Sequence, residues 1–178
     1  LRALLASQTL GLLIGDQAWP MPIPLVKDKG AWHFATAEGA DELINRRIGG
    51  NERNAIHVLR AYLDAQREYA TRDRDGDNVL QYAQKLGSSP GKHDGLYWPD
   101  ATGQDESPLG PLYAGQRSGE GYHGYHFKII KAQGNDAPGG AYDYVIGNRM
   151  RGGFALIAWP IQYGETGVMS FMVSHDGK

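Results

Sequence analysis

Residues 51–70 read NERNAIHVLRAYLDAQREYA. Ala55, Ile56, Leu59, Tyr62, Leu63 and Tyr69 recur at spacings of three, four and seven, the signature of one apolar face on an α-helix. Such a stripe has to be buried against another element, so this stretch predicts a helix packed on something else in the fold. Asn51 suits the helix N-cap. Upstream, Thr36 and Glu38 suit a helix start, Leu43, Ile44 and Ile48 supply a second stripe, and Gly49-Gly50 reads as the end of that helix. The reading is therefore two helices, at about 37–48 and 51–70, with a third short one at about Leu80–Leu86.

Outward from the helices the chain changes character. Pro20, Pro22 and Pro24 impose an extended path, because each proline fixes φ and moves its predecessor out of the helical region. Ile23–Lys27 and Ala31–Ala35 flank Asp28-Lys29-Gly30 as a β-hairpin would, and Leu1–Leu5 reads as the end of a helix. Beyond residue 87, glycine, proline and aromatic residues dominate. Gly87–Ser118 carries turn chemistry without clean periodicity and predicts a long ordered loop. Tyr125–Ala132, Ala141–Ile146, Gly153–Trp159 and Val168–Ser174 read as antiparallel strands. The expected fold class is α+β: two or three helices packed on an antiparallel β-sheet, with a long glycine- and proline-rich loop. Residues 1–35 are expected to be the end of an N-terminal region, with the proline-rich segment and the hairpin. Residues 36–178 are expected to form one continuous domain of helical pair, acidic loop and C-terminal sheet.

Bulk composition narrows the function classes. The chain has 178 residues, 21% of them charged, and a net charge of -2. A chain of this size buries roughly 70% of its unfolded surface and needs no covalent staples. No basic run suggests nucleic acid or a membrane surface, and no apolar stretch approaches the ~20 residues that span a bilayer. The absence of cysteine excludes disulfides, thiolate zinc sites and a cysteine nucleophile. The chain starts at Leu1 without a methionine and ends on a hairpin-turn sequence, Ser174-His175-Asp176-Gly177-Lys178. Both ends are expected to be limits of a longer chain.

One motif has specific chemistry. Asp73-Arg74-Asp75-Gly76-Asp77-Asn78 follows the long helix. Calcium takes six to eight oxygen ligands, and carboxylates alternating along a tight loop can converge on one ion. Asp73, Asp75 and Asp77 match positions 1, 3 and 5 of an EF-hand loop, and the Val79 carbonyl would serve at position 7. Asn78 stands at position 6, where glycine is usual, and tolerates the left-handed conformation better than most residues. Gln84 stands at position 12 in place of a bidentate glutamate, which lowers the expected affinity. The competing reading is a solvated turn whose aspartate caps a following helix.

Other constellations are weaker. His123 and His126 would lie on opposite faces of a strand, which disfavours a shared metal, and packing accounts for them better. Ser88, Ser89, His93 and Asp94 share one loop, but no Gly-x-Ser-x-Gly elbow occurs and adjacency does not bring a nucleophile to a base. The paired glycines form no phosphate cradle. Arg149 and Arg151 read as a solvated hairpin tip.

Several longer stretches resemble a single bacterial family. They are Trp19–Lys27, Asn45–Gly49, Ala61–Tyr69, Asp73–Ala83, Ser89–Pro99, Gly140–Val145, Gly153–Pro160 and Tyr163–Met169. Together they resemble the domain of unknown function 2950 over most of residues 19–176. The resemblance implies an exported protein of Gram-negative bacteria with no established activity, and so no catalytic residues to carry over. The family's acidic loop has glycine where Asn78 stands and glutamate where Gln81 stands, departures that weaken the cation reading here. The tail Gly164–Gly177 also looks like the last strands of some pilin-like proteins.

The leading expectation is a non-enzymatic protein of the periplasm or the extracellular space with a weak calcium loop at Asp73, Asp75, Asp77, Val79 and Gln84. One alternative is a subunit of an extracellular or cell-surface assembly, with filament- or pilin-like packing through self-association or an extracellular protein partner. The other is a hydrolase using the Ser88–Asp94 loop. Nucleic acid and a membrane span are not expected.

Overall fold

The structure, a computed structural model, describes residues 2–6, 8–99, 106–110 and 121–178. Of the loop expected at Gly87–Ser118, residues 100–105 and 111–118 lie outside the described residues. The chain divides into two compact units, Leu1–Gly50 and Asn51–Lys178.

The first unit is built on five antiparallel strands: β1 (Arg2–Ala6), β2 (Thr9–Ile14), β3 (Trp19–Pro20), β4 (Leu25–Asp28) and β5 (Ala31–Phe34). The order is β1-β2-β4-β5, with β3 paired to the end of β2. Lys29 and Gly30, both at positive φ, turn the chain between β4 and β5. Leu1–Leu5 was expected to end a helix, yet Arg2–Ala6 is a strand paired with Thr9–Leu13. A short apolar run has no period long enough to separate helix from strand, and the partner strand decides it. The helix that follows begins against this unit. Gly39 lies so close to Ile23 that a Cβ would sit 2.6 Å from Ile23 Cγ1 and 3.1 Å from its Cα, so only a hydrogen fits. Arg46 donates to Glu42 Oε1 at 2.7 Å and to the Pro20 carbonyl at 2.6 Å, and its guanidinium lies over the Trp19 ring.

That helix, α1 (Thr36–Tyr69), runs unbroken for 34 residues across the division. The expected two or three helices on one antiparallel sheet are thereby corrected: among the described residues there is one long helix, and the strands form several small sheets. Two physical reasons account for the difference. Gly49 and Gly50 cost about 1 kcal/mol each relative to alanine, but each residue added to an existing helix gains a hydrogen bond, and a C-terminal half that buries Ala55, Leu59, Tyr62 and Ala65 outweighs the penalty. The predicted helix at Leu80–Leu86 is absent because its backbone is committed elsewhere. The Tyr82 N–H donates to the Met150 carbonyl at 2.8 Å, the Ala83 N–H to Gln66 Oε1 at 2.8 Å, and the Lys85 and Leu86 carbonyls accept from Leu96 and Tyr97.

In the second unit the strands are β6 (Tyr125–Ile130), β7 (Ala132–Gln133), β8 (Tyr142–Asp143), β9 (Val145–Ile146), β10 (Arg149–Met150), β11 (Ala155–Pro160) and β12 (Phe171–Ser174). They form a three-stranded antiparallel sheet, β12-β11-β6, and two short ladders, β7-β8 and β9-β10. Glycine-rich turns interrupt what could have been one sheet. At Gly153, with φ +150, a Cβ would fall 2.7 Å from His175 Nδ1, so the chain bends there at a position open only to glycine. The core joins the C-terminal half of α1 to β11. Tyr62 meets Phe154 edge-on at 5.6 Å, Phe154 meets Tyr82 at 4.7 Å, and Tyr62, Tyr125, Leu96, Met150 and Leu156 are fully buried. Gln66 is a fully buried polar side chain within this core. Its amide donates to Tyr62 Oη (2.9 Å) and to the Ala83 carbonyl (2.8 Å) and accepts from the Ala83 N–H, as a neighbouring strand would. It thereby fastens residues 82–84 to the helix. Among the described residues no helix is long and apolar enough to cross a membrane.

Candidate functional site

The acidic loop begins where α1 ends. Thr71 Oγ1 donates to the Glu68 carbonyl at 2.7 Å and closes the last turn. The chain then folds around the Asp73 carboxylate. Oδ1 accepts from the Asp75 and Gly76 N–H groups (3.2 and 2.9 Å), and Oδ2 accepts from the Asn78 N–H (2.7 Å). Gly76 and Asn78 take positive φ, +77 and +62, which lets those N–H groups converge. These donors, the Asn78 N–H foremost, hold the Asp73 carboxyl below its ordinary range. Asp75 accepts from Gln81 Nε2 at 2.8 Å. Asp77 accepts from the Val79 N–H at 2.8 Å through Oδ1 and from Arg149 Nε at 2.6 Å through Oδ2, with Arg149 Nη2 on that same oxygen.

One oxygen each from Asp73, Asp75 and Asp77 lies within 4.8 Å of the others. Among the described residues this is the group of three or more acidic or histidine side chains with metal-holding spacing. Val79 follows directly, with its N–H turned back onto Asp77. Gln84 is engaged by other groups: its amide donates to the Asn148 carbonyl at 2.7 Å and its oxygen accepts from Lys131 Nζ at 3.1 Å. No second helix leaves the loop, so the helix–loop–helix frame of an EF-hand is half present.

Facing the acidic loop is the Ser88–Asp94 loop. Lys85 Nζ donates to Ser89 Oγ (2.8 Å) and Asp94 Oδ2 (2.6 Å), Ser89 Oγ is 3.0 Å from that same carboxylate oxygen, and Asp94 Oδ1 accepts from the Ser89 N–H at 2.7 Å. The Lys85 ammonium, aided by the Ser89 donors, pulls the Asp94 carboxyl down to about 2. Ser88 Oγ accepts from the Gly95 N–H at 3.0 Å. His93 stacks on Trp98 with ring centroids 4.3 Å apart, and its carbonyl accepts from Tyr69 Oη. His93 is thus turned toward an indole, and the triad-like order in the sequence becomes a lysine–serine–carboxylate cluster in space. The guanidinium of Arg74 lies 5.1 Å from both the Tyr69 and the Trp98 ring, and so ties the two loops together.

Between the loops opens a cleft of about 830 Å³. Its walls are the acidic loop, residues 81–85 and 91–94, Lys131 and the β9–β10 turn at 147–149. Arg149, read from sequence as a solvated tip, is here the partner of Asp77. Gln66 and Lys85, which organise the site, were not singled out. A glutamine four residues after Tyr62, on the buried face of the helix, was the available signal for Gln66. Lys85 and Lys131 carried no local signal at all. His126 packs on Trp159 and His123 on Tyr122.

A family model described as a protein of unknown function (DUF2950) matches residues 5–178. No curated protein and no solved structure matches the chain.

Proposed function

The chain belongs to the DUF2950 family of proteins of unknown function, and from that premise we propose that it is a non-enzymatic, exported protein that takes a hard divalent cation, calcium, weakly at Asp73, Asp75 and Asp77. The convergence of three carboxylate oxygens within 4.8 Å carries this reading. Calcium accepts irregular oxygen shells, whereas zinc prefers nitrogen and sulfur, which this loop lacks. With Gln84 engaged by Lys131 and Asn148, water completes the shell. Asp77 must also exchange its Arg149 contact for the ion. Both features favour weak binding, with a dissociation constant of about 10⁻⁴–10⁻³ M, a range useful where calcium is abundant, as outside the cytoplasm.

The hydrolase alternative finds no support in the same geometry. A serine–lysine mechanism needs a neutral lysine to take the serine proton. Lys85 Nζ instead donates to both Ser89 Oγ and Asp94 Oδ2. A cation that binds only the folded form raises the melting midpoint in proportion to ln(1 + [L]/Kd). Calcium is therefore expected to raise the midpoint, magnesium to do so less, and Asp75→Ala to abolish the gain. A midpoint that calcium leaves unmoved up to about 10 mM, well beyond the expected constant, would reduce the loop to a turn held by Asp73.

A further inference from the structure

We propose that the cleft between the acidic loop and the Ser88–Asp94 loop binds an acidic saccharide, a sugar that carries a carboxylate beside its ring hydroxyls. The chain as a whole has 18 basic and 20 acidic residues. The cleft reverses that balance, with five basic side chains (Arg74, Lys85, Lys92, Lys131 and Arg149) against Asp75, Asp77 and Asp94. Two of the five are spent, Lys85 on Asp94 and Arg149 on Asp77. The other three are not matched by acids. Lys131 donates to the neutral Gln84 oxygen. The Lys92 ammonium meets no carboxylate within ion-pair distance among the described residues. Arg74 is clamped by two rings, and its buried Nε finds no acceptor among the described residues. A guanidinium held in place between two rings is pre-organised for an anionic group, because little side-chain entropy remains to be lost.

The rest of the lining decides what kind of anion. Asp75, Asp77 and Asp94 would repel a densely charged polyphosphate, so the ligand carries few charges. Those carboxylates, with Gln81 and Asn148, are acceptors suited to hydroxyl groups. Tyr82, half-buried in the lining, adds ring surface for the apolar face of a pyranose. A volume of about 830 Å³ lies within the span of small-ligand sites and admits more than one sugar ring. Charge for one group, acceptors for many hydroxyls and aromatic surface together describe a sugar acid better than a free inorganic anion. This inference goes beyond the cation reading: the two share Asp75 and Asp77, but the unmatched positive charges are not part of the carboxylate cluster.

The test is titration calorimetry of the whole chain with digalacturonate, in the presence of a chelator so that the cation reading plays no part. The neutral disaccharide galactobiose and the tricarboxylate citrate serve as comparators. Binding of digalacturonate with much weaker binding of both comparators is expected. The double variant Lys92→Met/Lys131→Met should lower the affinity by at least about tenfold, the equivalent of one lost charge contact, at an unchanged melting midpoint. Three results would overturn the proposal: no heat up to about 10 mM digalacturonate, a range that captures even weak sites; citrate binding as well as digalacturonate, which would make the cleft a charge trap; or a double variant that binds as the parent does.

Discussion

The two loops that face the cleft are organised in opposite ways. Residues 73–79 are built from within: the Asp73 carboxylate gathers N–H groups from Asp75, Gly76 and Asn78, all within five residues of it. Residues 81–99 are held from outside. Gln66 grips Ala83 across 17 residues and Tyr82 pairs with Met150. A loop of the first kind keeps its shape wherever its own residues are present. A loop of the second kind depends on distant partners, and its neighbours should fall with it.

That contrast can be broken at its strongest point. Gln66→Leu keeps the volume of a fully buried side chain but leaves the Ala83 N–H and carbonyl without partners. At roughly 1–3 kcal/mol for each unmet buried group, a loss of about 3 kcal/mol is expected. Thermal unfolding should then show a midpoint lower by roughly 10 °C. A change within error would mean that Gln66 does not hold the second loop. The first loop, by contrast, should keep its internal hydrogen bonds in this variant.

A smaller effect sharpens the same comparison. The Asp94 carboxyl is depressed to about 2, first by Lys85. A depressed carboxylate contributes stability that is present above its ordinary value of 3.8 and is lost as pH falls toward about 2. Both side chains of the pair are well exposed, so solvent screening keeps the contribution to global stability small. Followed by NMR, Asp94 should titrate near 2 in the parent and closer to its ordinary range in Lys85→Met. Coincident titration curves would remove Lys85 as the cause.

What was legible in the sequence follows this division. The stripe from Ala55 to Tyr69 marked the helix, and Asp28-Lys29-Gly30 marked the turn between β4 and β5, because helix period and turn chemistry are written in neighbouring residues. The three aspartates were legible as a cluster for the same reason. Gly49-Gly50 misled, since a local helix-ending signal was outweighed by burial further along the helix. Leu80–Leu86 misled because its hydrogen-bond partners, Gln66, Met150, Leu96 and Tyr97, lie between 11 and 68 residues away. The engagement of Asp77 by Arg149, 72 residues distant, was illegible on the same ground. So was the cleft itself.

The central claim is that Asp73, Asp75 and Asp77 act together on a cation. An amide-resolved NMR titration with calcium tests it most directly, because the N–H groups of Asp75, Gly76 and Asn78 all donate to the Asp73 carboxylate. Saturable shifts at those three amides, with a midpoint near about 10⁻⁴–10⁻³ M, are expected in the parent and should vanish in Asp75→Ala. Amides that move only with ionic strength, equally for calcium, magnesium and sodium, would contradict the account.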